Sequence, residues 1–290
     1  MKLFYSFFLL LLLTVIAACS SESEEQEPEQ DSEATYFDDA EEKADLLKEF
    51  QAAEDEINSV SVRASVSQII TGEEKVIEES EVSATYDLIL EPLAARIDSE
   101  VNSFNQSMEL RMHLNEDATY LSANPNDEEP HWQKFTGEEH EEILAGIEEE
   151  NEAFLFVNYD ALLEYTDELV LALVSVDEYE EDEHNIDFYE LSLRGGSNIY
   201  HELMNNRNMD ESDQLADVDE FYFNLTIDKD TNHPIDIYTT MNGTLDVEGE
   251  VVQVEETIFT HVGANIFEDG DLRIPWRVEM SVENGEGEEE

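Results

Sequence analysis

Strict two-residue alternation is the feature that most narrows what this chain can fold into. Val60, Val62, Ala64 and Val66 alternate with Ser61, Arg63, Ser65 and Ser67. After a turn at Thr71-Gly72-Glu73-Glu74, Val82, Ala84, Tyr86, Leu88 and Leu90 alternate again. Met108, Leu110, Met112 and Leu114 alternate with Ser107, Glu109, Arg111 and His113, and Phe221, Phe223, Leu225 and Ile227 with Glu220, Tyr222, Asn224 and Thr226. Successive strand side chains point to opposite faces, so each segment offers one apolar and one polar face. Short turns between such segments predict antiparallel pairing, with one face on the core and one in water.

Further strands are expected at Leu93, Ala95 and Ile97, at Ala118–Ala123 and at His131–Phe135. The pattern resumes at Tyr189, Leu191 and Leu193, then at Ile235, Ile237 and Met241, and ends with Glu250–Val262 and Leu272–Val282. Between these runs the period lengthens. From Asp38 to Ser59, Leu46, Phe50, Ala53 and Ile57 share one helical face, and acids fill the first turns, where negative charge suits the helix dipole. Glu138–Glu150 is expected to be helical with Ile143, Leu144 and Ile147 inward. Asn158 to about Leu173 forms a further helix on Leu162, Tyr165 and Leu169, although Leu169–Val174 is apolar all round and fits a buried strand as well. Glu178–Glu183 reads as a loop, and Ser197–Asn208 as a short helix with Ser197 at its N-cap.

Strands near fifteen residues would be about 50 Å long and must twist and curl. The expected fold class is therefore α+β: a curled antiparallel sheet, or half-barrel, with helices covering the concave face.

Charge sets the surroundings of this body. There are 75 acids against 13 Lys and Arg, a formal charge of −62. Such a chain lacks the cations that neutralise nucleic-acid phosphates or an anionic membrane surface. It is nevertheless no disordered polyanion, because 41% of its residues are hydrophobic and 9% aromatic. Residues 19–37 read as an acidic tether, 38–282 as the folded domain and 283–290 as an acidic tail.

The amino terminus has the layout of an export signal. Met1-Lys2 is positive, Leu3–Val15 is nearly all apolar, and Ile16-Ala17-Ala18 leads into Cys19, the single cysteine of the chain. This looks like a bacterial lipobox. Residues 1–18 are then a lipoprotein signal peptide, Cys19 carries the acyl anchor, and the protein is extracytoplasmic, with the membrane as its partner. One thiol leaves no intrachain disulfide, Cys-based metal site or Cys nucleophile.

Chemical constellations are sparse. The seven histidines include no two-His helical pair of the zinc-hydrolase kind. His140, within Glu138-Glu139-His140-Glu141-Glu142, reads as part of a solvated acidic helix face, and His113 lies on a polar strand face. Asp228, Asp230 and Asn232 have calcium-loop spacing, but His233 and Thr239 stand where such a loop needs Gly and Glu, so a turn ended by Pro234 is expected. Gly195-Gly196 reads as a turn, and the chain has neither a nucleophile elbow nor a phosphate-binding glycine loop. No catalytic residue, cofactor or metal is expected, and the chain reads as a non-enzyme.

What remains is the apolar inner surface. Its members are Val62, Val66, Tyr86, Leu88, Met108, Leu110, Met112, Tyr189, Leu191, Phe221, Phe223, Leu225, Ile237 and Met241. These side chains either pack as a solid core or line a cavity, and Met108 and Met112 suit irregular space.

Several short motifs carry a resemblance over about residues 40–282: Ile57-Asn58-Ser59-Val60, Tyr120-Leu121, Trp132-Gln133-Lys134, Tyr189-Glu190-Leu191 and Ile274-Pro275-Trp276. With the lipobox and tether, the chain resembles uncharacterised surface lipoproteins of bacilli and their relatives, and through them the lipoprotein-carrier fold of LolA and the LppX group. The resemblance implies a half-barrel with helices across its concave face, where some members hold acyl chains, without catalytic residues. It leaves two readings open: a lipid-binding lipoprotein for envelope transport or sensing, or a solid-cored structural or interaction module contacting cell wall or protein.

Overall fold

The computed structural model describes residues 32–72, 75–103, 106–125, 131–145, 157–177, 185–204, 217–247, 250–268 and 270–285. These residues form an open, wholly antiparallel 12-stranded sheet with few helices. The strands are β1 (Ser32–Phe37), β2 (Ser59–Thr71), β3 (Val76–Ile89), β4 (Ala94–Ser103), β5 (Gln106–Leu114), β6 (Thr119–Pro125), β7 (Gln133–Phe135), β8 (Val170–Asp177), β9 (Asn185–Gly195), β10 (Asp217–Asp228), β11 (Pro234–Val247) and β12 (Glu250–Ala264). Their order is β1-β8-β9-β10-β11-β12-β2-β3-β4-β5-β6-β7.

Two meanders thus meet at the β12–β2 seam, which runs in register from Gln253↔Thr71 to Ala264↔Val60. The register aligns the alternating residues into rows that cross the sheet. One row on the apolar face runs Val62, Tyr86, Ile97, Met112. At the other end of the sheet Leu225 lies between Leu191 and Ile237. A bulge in β10 between Val218 and Glu220 sits opposite Gly243, where a Cβ would come within 2.5 Å of the Asp217 carbonyl oxygen, so only glycine fits.

The helices are α1 (Ala40–Glu54), α2 (138–145), α3 (Tyr159–Glu164), α4 (Ser197–Met204) and α5 (Trp276–Gly285). Asp39 caps α1 by accepting from the Glu41 and Glu42 amides at 2.8 and 3.2 Å. Leu47 and Phe50 of α1, Leu162 of α3 and Tyr200 of α4 share one buried cluster with Val66, Leu191, Phe221 and Leu225. A second cluster joins Val60, Tyr86, Leu88, Ile97 and Leu114, with Ile143 and Leu144 of α2 packed against it. A third lies on the opposite face, since Tyr120 pairs with His113 and not with an apolar-face residue. There Ala118 and Tyr120 bury Val278 of α5, beside Trp132 and Ile274.

Several sequence expectations are corrected. The helix expected over Asn158–Leu173 stops at Glu164, and Val170–Asp177 is strand β8. An all-apolar run has no periodicity to choose between states. Here β8 is held between β1 and β9, which supply its ladder bonds. Leu272–Val282 is no strand, because helix α5 begins at Trp276, and the Val278 amide bonds the Pro275 carbonyl at 2.8 Å. Ser32–Phe37, within the expected tether, is edge strand β1, recruited by the open edge of β8. Ser197 does not cap its own helix. Its hydroxyl donates to the Asp217 carboxylate and accepts the Val218 amide at 2.8 Å, tying α4 to β10. The signal peptide, Cys19, most of the tether, the 178–183 loop and the end of the tail lie outside the described residues.

Candidate functional site

The apolar residues named from the sequence do share one sheet face. Val62, Val66, Tyr86, Leu88, Leu110, Met112, Leu191, Phe221, Phe223, Leu225, Ile237 and Met241 are buried, and Met108 and Tyr189 are half-buried. Most belong to the first two clusters, so they pack mainly against other side chains. The Tyr189 ring lies 5.1 Å from the Phe50 ring, tilted by 50°.

One row across this face is different. Ala64, Ala84 and Ser99 are directly paired on β2, β3 and β4 and end at Leu110 on β5. Large residues flank them on both sides: Val62, Tyr86 and Ile97 in one row, Val66, Val82 and Val101 in the other. Small side chains between two bulky rows leave a shallow trough in the sheet surface, covered at Ala84 and Ser99, which are 5% and 6% exposed. The Ser99 hydroxyl is buried there and has no hydrogen-bond partner among the described residues. A buried hydroxyl without a partner costs about 1–3 kcal/mol, so a group that accepts or donates to it would be stabilised. The signal for this trough was legible in the sequence as small residues within alternating strands, but the row itself exists only once three strands are aligned.

The polar face of the same strands carries a groove of about 730 Å3 that sequence reasoning did not find. Two cross-strand rows wall it. One runs His261, Arg63, Thr85, Asp98, Arg111, and the other Phe259, Ser65, Ser83, Glu100, Glu109. The side chains of Ala64, Ala84, Ser99 and Leu110 turn to the apolar face, so their backbone forms the floor.

The remaining motifs are structural. Asp228 accepts from the Asp230 amide at 3.1 Å and from the Thr231 amide and hydroxyl at 2.7 Å, so its carboxylate is used within the turn. Asn232 takes φ of 60°, which completes that turn. His140 is not on a solvated face. It is buried, with Nδ1 at 2.9 Å from the Thr119 hydroxyl and Nε2 at 3.1 Å from the Glu116 carbonyl. The carbonyl can only accept, so Nε2 carries the proton and, in the neutral ring, Nδ1 accepts from Thr119. The missed burial follows from α2 docking near the start of β6, which no local pattern records. Burial first, and then the negative charge of Glu54, push the Tyr159 phenol well above its ordinary range. Among the described residues no three His, Cys, Asp or Glu side chains converge to hold a metal, and no helix is long and apolar enough to cross a membrane.

A family model described as a family of unknown function, DUF6612, matches residues 42–279. No curated protein matches the chain. Among solved structures, a DUF1329 family protein from Desulfovibrio piger is similar at 11% identity and a TM-score of 0.20, over 82% of this chain and 98% of that one. A beta-barrel-like protein of domain of unknown function DUF1849 from Brucella abortus is similar at 8% identity and a TM-score of 0.21, over 72% and 99%.

Proposed function

The chain belongs to the DUF6612 family, and for it we propose the role of a lipid-anchored extracytoplasmic binding protein that holds an apolar ligand, a lipid or acyl chain. The anchor is the acylated Cys19 of the lipobox-like sequence. The ligand lies between the apolar sheet face and the helices over it, in the manner of the LolA and LppX half-barrels that the sequence resembles. No residue is assigned a catalytic role.

The observation that supports this reading is the trough of Ala64, Ala84 and Ser99 between bulky rows, with the Ser99 hydroxyl in it, which has no partner among the described residues. An acyl chain laid along it gains about 0.8 kcal/mol for each methylene removed from water. Ser99 supplies one polar handle for a carbonyl or hydroxyl of the ligand.

Native mass spectrometry of the protein extracted from its host membrane tests the reading. The expected result is a bound lipid mass beyond the covalent anchor, lost in Ala84→Leu, which fills the trough, and kept in Ile186→Ala, which changes an exposed site. A protein that carries no such mass, and takes up none from mixed lipid micelles, would overturn it. In a Cys19→Ala variant the protein is expected in the medium and not in the membrane fraction.

The second reading is a solid-cored interaction module. It is favoured by the complete burial of Leu47, Phe50, Leu162 and Leu225 in the first cluster.

A further inference from the structure

We propose that the groove on the polar face is a second, separate binding site, and that it takes a short zwitterionic peptide. Its volume of about 730 Å3 lies within the range of small-ligand sites. Its charge pattern sets it apart from the rest of the molecule. In a chain of net charge −62, Arg63 and Arg111 here face Asp98, Glu100 and Glu109. A simple anion would meet three carboxylates. A metal ion would meet two guanidinium groups, and no metal-holding triad converges among the described residues. A ligand bearing both signs fits this pattern.

The two signs are also spatially sorted. Arg63 on β2 is exposed and has no ion-pair partner among the described residues, and its row neighbours are Thr85 and His261, not acids. Arg111 is already engaged, at 2.7 Å from Glu109 and 4.0 Å from Asp98. The open cationic group is therefore Arg63. Glu100 on β4 accepts one bond from Asn102 at 3.0 Å, and among the described residues its second oxygen has no partner, so it can meet a ligand. The β2 and β4 strands lie two places apart in the sheet, which is about 10 Å. An extended tripeptide spans about 10 Å at ~3.3–3.6 Å per residue, whereas the two charges of a single amino acid are much closer.

The geometry seats the peptide carboxylate on Arg63, in bidentate fashion, and the ammonium on Glu100 and Asp98. Between these ends Ser65, Ser83 and Thr85 offer hydroxyls to the peptide groups. Phe259, at 41% exposure, stands beside Ser65 at the carboxylate end and covers a side chain there. This site uses the opposite sheet face from the trough, so it stands or falls independently of lipid binding.

Isothermal titration of the full-length lipoprotein in detergent tests the proposal with four probes: trialanine, its N-acetylated form, its C-terminal amide, and free alanine. Trialanine is expected to bind, with each capped form and free alanine weaker by about tenfold or more. Arg63→Ala should weaken trialanine about tenfold and erase its advantage over the amide, while Arg63→Lys keeps part of both. Arg63 is exposed, so the fold stands in both variants, and circular dichroism verifies it. No heat with trialanine up to about 10 mM, equal binding of the capped forms, equal binding of alanine, or indifference to Arg63→Ala would each overturn the proposal. Weakening by the amide without weakening by acetylation would also overturn it, since that marks a site for anions alone.

Discussion

The ammonium group of Lys43 donates to the Leu169 carbonyl at 2.7 Å, joining two residues 126 positions apart. It donates also to the Thr166 carbonyl at 3.0 Å. A buried lysine on the first helix therefore satisfies the backbone where the chain leaves α3 for β8, in a region that otherwise carries an excess of acids. The contact holds α1 down, and with it Leu47 and Phe50.

Lys43→Met keeps the apolar stem but removes the donors, leaving the buried Leu169 carbonyl and the part-buried Thr166 carbonyl short of a partner. The expected loss is about 1–3 kcal/mol. Urea unfolding followed by circular dichroism measures it, and an unchanged midpoint would show that water replaces the ammonium.

Phe50 is fully buried between the helix and Tyr189. Phe50→Ala is expected to cost about 3–5 kcal/mol, the range for deleting a large core side chain. Ile186 is 50% exposed, and Ile186→Ala should stay within about 0.5 kcal/mol of the parent. Paired denaturation curves distinguish the two positions, and equal losses would mean that the first cluster is not a closely packed core.

His113 contacts Trp132 with ring centroids 5.3 Å apart. Burial lowers its pKa below 6.5, Asp98 opposes that shift and Arg96 adds to it. Between the folded-state value and about 6.5 the unfolded chain binds more protons, so stability rises with pH there and falls as pH drops through the window. His113→Gln should flatten that slope. Unfolding midpoints from neutral pH down into the window, with the His113 titration followed by NMR, provide the measurement, and an unchanged slope would remove His113 as its source.

Net charge of −62 makes the native body repel itself. Salt shortens the screening length to about 3 Å at 1 M, so melting temperature should climb as NaCl rises to molar levels. Calorimetry over a salt series tests this, and a flat or falling melting temperature would contradict it. Neutralising many exposed acids should weaken the dependence.

Local patterns reached far into this fold. Alternation in Val60–Val66, Val82–Leu88, Met108–Leu114 and Phe221–Ile227 placed each of these side chains on the correct sheet face. The 4, 3, 4 spacing of Leu46, Phe50, Ala53 and Ile57 located the first helix, which the structure ends a little earlier, at Glu54. The same reasoning left Leu169–Val174 open between helix and strand, and it failed at Leu272–Val282. The first has no period, and the second has too few apolar positions to separate a strand from helix α5, which buries Val278 with Val282 packed beside it. His140 was misplaced for a related reason: four flanking glutamates describe the solvent side of a helix, not the side that meets Thr119.

By itself, then, the sequence determined the strand-rich character, the identity of the core-facing residues and the acidic surface, because each depends on neighbours one to four positions away. Only the tertiary structure decided that β12 pairs with β2, that β1 edges the sheet beside β8, and that Ala64, Ala84 and Ser99 fall into one row. It also decided that Arg63 stands two strands from Glu100 across a groove. Those relations are set by strand register, which follows from packing one whole face of the sheet at once and from no single segment.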